Sequence, residues 1–510
     1  MNLKYRIKFI LEHLMEFKFG SFFFGITPFF FLVGLASQRP NILLIVSEDN
    51  GPELGCYGDP YVKTPILDKL AEEGARFQFA FTPFSVCSPS RACFLTGLHP
   101  VVNGHLGLAT HKFELFEEFP NIFGFLKKAG YRTGLIGKLH VNPKELFYRD
   151  LDFKALSIAN FDRKSMSAYA SKAAEFFSQT TEKPFFLSIN YPDAHFPLIP
   201  RIGDYPSEEN LIDAKDVKPL PWVGCDSERL REATANYYNC INRLDCLVGD
   251  LLEELNKSGN MESTLIIYIG DHGAQFSRGK TSVYDAGIRI PFIVNWPGKI
   301  KQGLVIEEMV SVADILPTCL LAAGMKLPRE LSGRPLQPLL RGEEVTNWRD
   351  SLQFITTGAA PSIACLQFAH RTDRFKLIIT PRGQGKNLSA LAYLNDLNSF
   401  YVAGTKQEEI DASPEWLKKV YQIYENPPKY ELYDLLNDPN EFVNLAGDHN
   451  YSSTLNALLR DFANWRFEIG DPFIESTNVK FWIREQTSAR SINYKGMKKF
   501  RWKYLERFLR

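Results

Sequence analysis

The chain has 510 residues, 45% hydrophobic and 23% charged, which excludes a disordered or fibrous protein and provides apolar side chains for a large core. At roughly 100 to 200 residues per domain, this length predicts two or more domains, one large and one smaller. Lysine plus arginine and aspartate plus glutamate both total 59, so net charge points neither to nucleic acid nor to a strongly acidic partner, and any preference for anions has to be local.

In the first 38 residues, Lys4, Arg6, Lys8 and Lys18 precede an apolar stretch over 21–36, closed by the small residues Ala36 and Ser37. This is the pattern of a signal peptide, implying export to a periplasm, a lysosome or the exterior. The stretch is shorter than the about 20 residues of a spanning helix, and an uncleaved N-terminal anchor is the alternative reading. Eight cysteines are scattered without close CxxC pairs, which predicts neither a zinc site nor a disulfide framework.

From residue 39 onward, short apolar runs end abruptly in polar clusters. Residues 42–46 lead into Ser47-Glu48-Asp49, and the run around Leu135-Ile136 into Gly137-Lys138-Leu139-His140. Residues 185–189 lead into Asn190-Tyr191-Pro192-Asp193-Ala194-His195, and residues 265–269 into Gly270-Asp271-His272. Such runs read as buried parallel strands. Ligands of open α/β sheets gather at the carboxyl ends of the strands, so the four clusters are predicted to share one cleft. Helix signals lie between the runs, as at Thr64-Pro65, where Thr suits a cap and Pro the first turn. The alternation predicts an α/β fold over 39–348, a large doubly wound, mostly parallel mixed sheet flanked by helices. Residues 349–473 carry shorter strand-like pieces, turn-rich segments and a helix near 452–467, which predicts a smaller α+β domain with an antiparallel sheet. Residues 474–510 cluster bases with aromatics and end in KGMKKFRWKYLERFLR; a solvated basic tail or closing helix is preferred over a polysaccharide or membrane contact.

Three constellations carry chemistry. The first is Cys87-Ser88-Pro89-Ser90-Arg91. A lone cysteine is more often core than site, but Ser88 and Pro89 suit the opening of a helix, whose amides and dipole favour an anion beside residue 87. A helix N-terminus also activates thiolates, which makes a thiolate phosphatase a competitor; the C-x5-R pattern of those enzymes fails here because position 93 is Cys. The second constellation is Glu48-Asp49 together with Asp271-His272. Either pair alone would read as a solvated loop, but two pairs at matching strand ends point to a hard divalent cation, Ca2+ first, with Mg2+ or Mn2+ as alternatives. Imidazole is a less natural calcium ligand, which makes His272 a weak or distal one. The third comprises Arg91, Lys138, His140, His195 and Lys280, each of which alone would read as a solvated base or a structural histidine. Three carboxylates cancel three permanent bases, so only with a divalent ion does the cleft become positive enough to hold an anion.

The segment CSPSRACFLTG resembles the signature of the formylglycine-dependent sulfatases of the alkaline-phosphatase superfamily. In that signature the cysteine of C-x-P-x-R is oxidised to formylglycine by a separate maturation enzyme. Gly137-Lys138-Leu139-His140, Tyr191-Pro192-Asp193-Ala194-His195, Gly279-Lys280 and Gly287-Ile288-Arg289-Ile290-Pro291 resemble later elements of the family in the same order. Tyr430-Glu431-Leu432-Tyr433-Asp434 and Asn444-Leu445-Ala446 resemble its C-terminal element. The resemblance runs from Arg39 to about Phe473 and is nearest to the heparan N-sulfatases. It implies hydrolysis of sulfate esters or sulfamates of a glycan, with Cys87, Arg91, Lys138, His140, His195 and Lys280 catalytic and Glu48, Asp49, Asp271 and His272 holding the metal. It also implies two partners, a sulfated glycan substrate and the maturation enzyme. Glu48 departs from the family's commoner Asp. Residues 356–362 read TTGAAPS where sulfamidases carry a Ser- and His-rich acidic cluster facing the sugar, so an O-sulfated polysaccharide of algal type stands beside N-sulfated glucosamine as substrate. The rival readings are a phosphodiesterase or phosphonate monoester hydrolase of the same superfamily and a non-catalytic sulfated-glycan binder.

Overall fold

Two apolar cores are separated by strands that feed both of them. Along Asn41–Ser47, Leu43 and Ile45 enter one core and Ile42, Leu44 and Val46 the other; along Thr264–Gly270, Ile266 and Tyr268 oppose Leu265, Ile267 and Ile269. Side chains alternate across a strand, so a strand covered on both faces reads as one continuous apolar run. The structure is a computed structural model describing residues 39–156, 166–179 and 181–509. The predicted leader lies outside the described residues. Among those described, no helix is long and apolar enough to cross a membrane.

The large sheet has eight strands among the described residues, in the spatial order Leu304–Ile306, Ala75–Phe77, Phe292–Asn295, Thr264–Gly270, Asn41–Ser47, Phe185–Asn190, Arg132–Gly137 and Phe153–Ala155. Phe292–Asn295 runs antiparallel to both of its neighbours and the other pairs are parallel, giving the mixed, mostly parallel sheet that the sequence predicts. Ser47 pairs with Gly270, Val46 with Asn190, and Gly137 with Asn190. This register aligns the carboxyl ends of four adjacent parallel strands and so brings the four polar clusters to one edge.

The 30-residue helix Glu228–Lys257 packs on this sheet. Its buried Tyr237, Ile241, Leu244, Val248, Leu251 and Leu255 recur at three- and four-residue spacing, one apolar stripe on a helix about 45 Å long. The N-terminal end of the helix Pro65–Glu72 shows a departure from expectation. Thr64 does not cap it; its hydroxyl accepts from the Gly55 amide at 2.9 Å and donates to Asp68 at 2.9 Å. The first-turn amides of Ile66 and Leu67 instead donate to Asp245 of the long helix, at 3.1 and 2.8 Å. A carboxylate brought in by tertiary packing has displaced the local cap.

A second, antiparallel sheet pairs Ser351–Thr356, Gln367–Thr372, Phe375–Ile379 and Tyr430–Asp434 in that order, and the helix Ser452–Glu468 lays Leu458 against Leu377 and Leu432. Buried Lys376 ties this sheet to the short helix Asp285–Ile288 by pairing with Asp285 at 2.6 Å, and pairs with Glu441 of its own half at 2.8 Å. The basic C-terminal segment folds back as a closing element. Trp482, Trp502 and Tyr504 are buried, Trp502 stacks on Phe113 at 4.8 Å, and the Tyr504 hydroxyl donates to the Gly104 carbonyl at 2.8 Å. Its aromatics are core, which leaves its bases at the rim.

Glu53 is buried against the long helix; its Oε2 accepts from the Tyr237 hydroxyl at 2.8 Å, and that hydroxyl accepts from the Gly51 amide at 3.2 Å. Burial pushes the Glu53 carboxyl up to about 7. Between about pH 4.5 and 7 the folded chain therefore holds a proton that the unfolded chain has released, so stability falls as pH rises through that window, by about 3 kcal/mol. Glu53→Gln keeps the acceptor and removes the titration. Thermal melts are expected to show a smaller loss of Tm from pH 5 to pH 8 in this variant than in the parent; an equal loss would exclude Glu53 as the source.

Candidate active site

Cys87 opens the helix Cys87–Thr96, following Val86 in extended conformation. That puts its Sγ beside the free amides of the first turn. The helix is buried throughout its length, and Gly97, in the left-handed conformation, ends it. Four residues on from Cys87, Arg91 turns back beneath the strand ends. Its Nε donates to Asp271 Oδ2 at 3.2 Å, one terminal nitrogen to Asn190 Oδ1 at 2.7 Å and the Lys138 carbonyl at 3.1 Å, and the other to Glu48 Oε1 at 3.2 Å. One guanidinium thus ties together all four strand ends.

The acidic residues are completely buried. Glu48 is also paired with Lys138, and Lys280 Nζ donates to both oxygens of Asp49 at 3.0 and 2.9 Å. The Asp49 amide donates to Asp271 Oδ1 at 3.1 Å. His272 donates from Nδ1 to the Gly273 carbonyl at 3.0 Å, which leaves Nε2 facing Asp49 Oδ1 at 3.2 Å, Cys87 Sγ at 3.3 Å and Asp271 Oδ1 at 3.7 Å. Burial pulls the His272 imidazole down, but the Asp271 and Asp49 carboxylates outweigh it and push the group up to about 9. Burial would raise Asp271, yet His272 and Arg91 hold it below the usual carboxylate range.

His140 follows Lys138 on the loop that leaves the strand Arg132–Gly137. Burial, reinforced by the charges of Lys138 and Arg91, pushes it well below the usual imidazole range, so it is neutral near pH 7. Gly137 is required where the strand ends: its φ is +86°, and a Cβ there would lie 2.3 Å from the Asn190 carbonyl oxygen. Asp49 and His140 themselves adopt positive φ, at 49° and 56°, as residues held at functional sites often do. His195 sits at the same edge. Its segment is held by backbone bonds from the Ala194 amide to the Glu48 carbonyl at 2.5 Å and from the Glu48 amide to the Asp193 carbonyl at 2.8 Å. Its Nδ1 donates to the Phe196 carbonyl at 2.9 Å.

The residues fit a cation. Ligand-type atoms of Asp49, Cys87 and His272, and of Glu48, Cys87 and Asp271, lie within 4.8 Å of one another in two sets that share Cys87. Glu48 Oε2 is buried without a hydrogen-bond partner. Three carboxylates and one imidazole nitrogen converge where a thiol alone would have no use for them.

The family model for sulfatases matches residues 40–325. The chain belongs to the sulfatase family. A second model, for the C-terminal region of N-sulphoglucosamine sulphohydrolase, matches residues 270–386 of this sulfatase. Among curated relatives, the N-sulphoglucosamine sulphohydrolase of Homo sapiens is 30% identical over 87% of the chain and 93% of its own length. An ulvan-active sulfatase of Formosa agariphila is 29% identical over 86% of the chain and 82% of its own length. The fold is also that of a phosphonate monoester hydrolase of Agrobacterium radiobacter, with TM-score 0.64 and 20% identity over 84% of this chain and 96% of that one. As a family member the chain is an enzyme, a sulfuric-ester hydrolase.

Of the ten residues singled out in the sequence, Glu48, Asp49, Lys138, His140, His195, Asp271 and His272 follow the carboxyl ends of the four strands, Cys87 and Arg91 lie on the helix facing them, and Lys280 lies on a loop bonded to Asp49. Sequence reasoning missed Asn190, the last residue of its strand, whose amide oxygen accepts from Arg91. It also missed Gln275, which lies 3.5 Å from Lys280 Nζ, and Arg243, which grips Asp193 through two bonds of 2.8 and 2.9 Å. Asn190 carried a signal, a polar residue closing an apolar run; Arg243 carried none, because it sits mid-helix and 50 residues away.

A divalent cation that binds the folded sulfatase at this cluster raises its stability by about 2.7 kcal/mol at a hundredfold excess over Kd. Dialysis against a chelator is expected to lower Tm, and added Ca2+ to restore it. Asp271→Ala is expected to abolish that calcium-dependent shift, and a shift that survives the substitution would place the ion elsewhere.

Proposed function

We propose that this sulfatase removes sulfate from a glycan through residue 87, converted from Cys to formylglycine, with a divalent cation held by Glu48, Asp49, Asp271 and His272. The observation that carries the reading is the position of Cys87 Sγ, at a helix N-terminus and 3.3 Å from His272, between the two acidic strand ends. Ca2+ is favoured because three of the four ligands are carboxylates, and Mg2+ and Mn2+ are its competitors. When bound, the ion would supply positive charge that acidifies a hydroxyl of hydrated residue 87 and polarises a sulfate oxygen.

The chain's own groups do the rest. Arg91, Lys138 and Lys280 neutralise and orient the sulfate, and they do so from buried positions where charge is poorly screened. His140 or one of its neighbours accepts the proton of the attacking hydroxyl as the bond from oxygen to sulfur forms. His195, with Lys280 near it, gives a proton to the departing oxygen or nitrogen as its bond to sulfur breaks. The second hydroxyl of residue 87 then loses its proton, the aldehyde re-forms, and sulfate leaves with the bonding pair. Water re-hydrates the aldehyde. A serine or cysteine has no second hydroxyl and could not release the sulfate by this route.

The substrate class rests on the N-sulphoglucosamine and ulvan relatives, and both a sulfated glucosamine and an O-sulfated polysaccharide belong in the test. The proposed domain limits are 39–348 for the catalytic domain, 349–473 for the second domain and 474–510 for the basic aromatic tail; the grouping of the described strands into a large sheet before residue 307 and an antiparallel sheet from residue 351 supports them. The basic and apolar pattern of residues 1–38 supports export.

The test is sulfate release from N-sulfated heparan disaccharides and ulvan oligosaccharides by protein coexpressed with a formylglycine-generating enzyme, with mass spectrometry of the peptide containing residue 87. Release by protein carrying the aldehyde is expected, with Cys87→Ala at least about a thousandfold slower. Cys87→Ser is expected to accumulate a sulfated residue 87. Full activity with a free thiol would rule out the nucleophile, and faster turnover of aryl phosphate than of aryl sulfate would favour the phosphonate hydrolase reading.

A further inference from the structure

Sugar recognition needs a surface beyond the anion pocket, and residues 356–362 do not supply it. Thr356 and Thr357 are buried, their hydroxyls bonded to the carbonyls of Thr281 at 2.9 Å and Leu106 at 2.5 Å. Ala359, Ala360 and Pro361 are also buried, so the segment through Pro361 serves as internal structure and Ser362 alone is exposed. A different part of the C-terminal half reaches the cleft. The Phe400 ring stands edge-on to the His195 ring, with centroids 6.0 Å apart at 86°. The Phe400 carbonyl accepts from Gln275 Nε2 at 2.5 Å, and Gln275 Oε1 lies 3.5 Å from Lys280 Nζ.

The segment around Phe400 is anchored on several sides. Arg229 donates to the carbonyls of Val402 and Gly404, both at 2.7 Å, and the Thr405 amide donates to Ser277 Oγ at 2.9 Å. Tyr401 packs edge-on against Tyr393, whose hydroxyl donates to the Lys280 carbonyl at 3.3 Å. Phe400 nevertheless stays 37% exposed. A large aromatic held out of the core beside a proton-transfer candidate, on a fixed backbone, is the kind of wall that ligand pockets use. It has a natural complement in a pyranose ring, whose C–H face is apolar while its hydroxyls and sulfate are polar.

We infer that Phe400 forms the sugar-facing wall of the cleft, covering the apolar face of the ring that carries the sulfate on the side where His195 stands. This rests on the glycan reading above and extends it: the wall selects for a ring attached to the sulfate, whereas Arg91, Lys138 and Lys280 recognise the sulfate itself.

The test compares the parent with Phe400→Ala, Phe400→Leu and Phe400→Tyr, on whichever of the N-sulfated heparan disaccharide and the ulvan oligosaccharide the parent turns over, with inorganic sulfate as competitive inhibitor. The Ala and Leu variants are expected to raise KM for the sulfated sugar about tenfold with a smaller change in kcat, to leave Ki for inorganic sulfate within about twofold, and to be rescued by Tyr. Melting temperatures identify any variant that fails to fold, and two truncations of different size keep the comparison open. Unchanged KM in a folded variant, or a parallel loss of sulfate binding, would overturn the wall alone. No sugar turnover by the parent would overturn the glycan reading and the wall with it.

Discussion

Seven ionisable groups are buried together at one edge of a sheet, and the arrangement of this enzyme follows from how they hold one another. Glu48, Asp49 and Asp271 are inaccessible to solvent, as is His272, and Arg91, Lys138 and Lys280 are nearly so. Burying charges is costly unless each is paired and hydrogen-bonded. Arg91 answers that demand with four acceptors on four different segments, and Lys280 with both oxygens of Asp49. The cluster therefore ties the four strand ends together.

Its geometry depends on the parallel sheet. Hydrogen-bonded register aligns Ser47, Gly270, Asn190 and Gly137, and the residues that follow each have nowhere to go but into the same space. The helix that begins at Cys87 then points its amino terminus into that space and adds a partial positive charge from backbone alone. Positive φ at Asp49 and His140 shows local conformation yielding to the demands of the site, a cost the paired charges and surrounding packing offset.

The C-terminal half completes the cleft from outside. Lys376 ties its sheet to the helix that opens at Asp285 by an ion pair, and the segment carrying Phe400 is fastened to loops that also hold Lys280. The aromatic tail closes over residues 104–113, and the Ala109 amide of that loop donates to Ser88, next to Cys87, at 2.9 Å. Distant parts of the chain thus converge on the neighbours of one residue.

Composition and pattern were enough to determine the α/β class, the four strands with their polar ends, and the residues around Cys87. Strand periodicity and the short motifs CSPSR and GKLH are local, and local signals survive in a linear text. Strand order, the capping of residues 65–72 by Asp245 in place of Thr64, the bond from Asn190 to Arg91, the clasp of Asp193 by Arg243 and the placement of Phe400 beside His195 were decided only by tertiary structure. Each of these joins residues far apart in the chain, where the partner that satisfies a buried polar group or packs on a ring is supplied by the fold and leaves no mark on the neighbouring sequence.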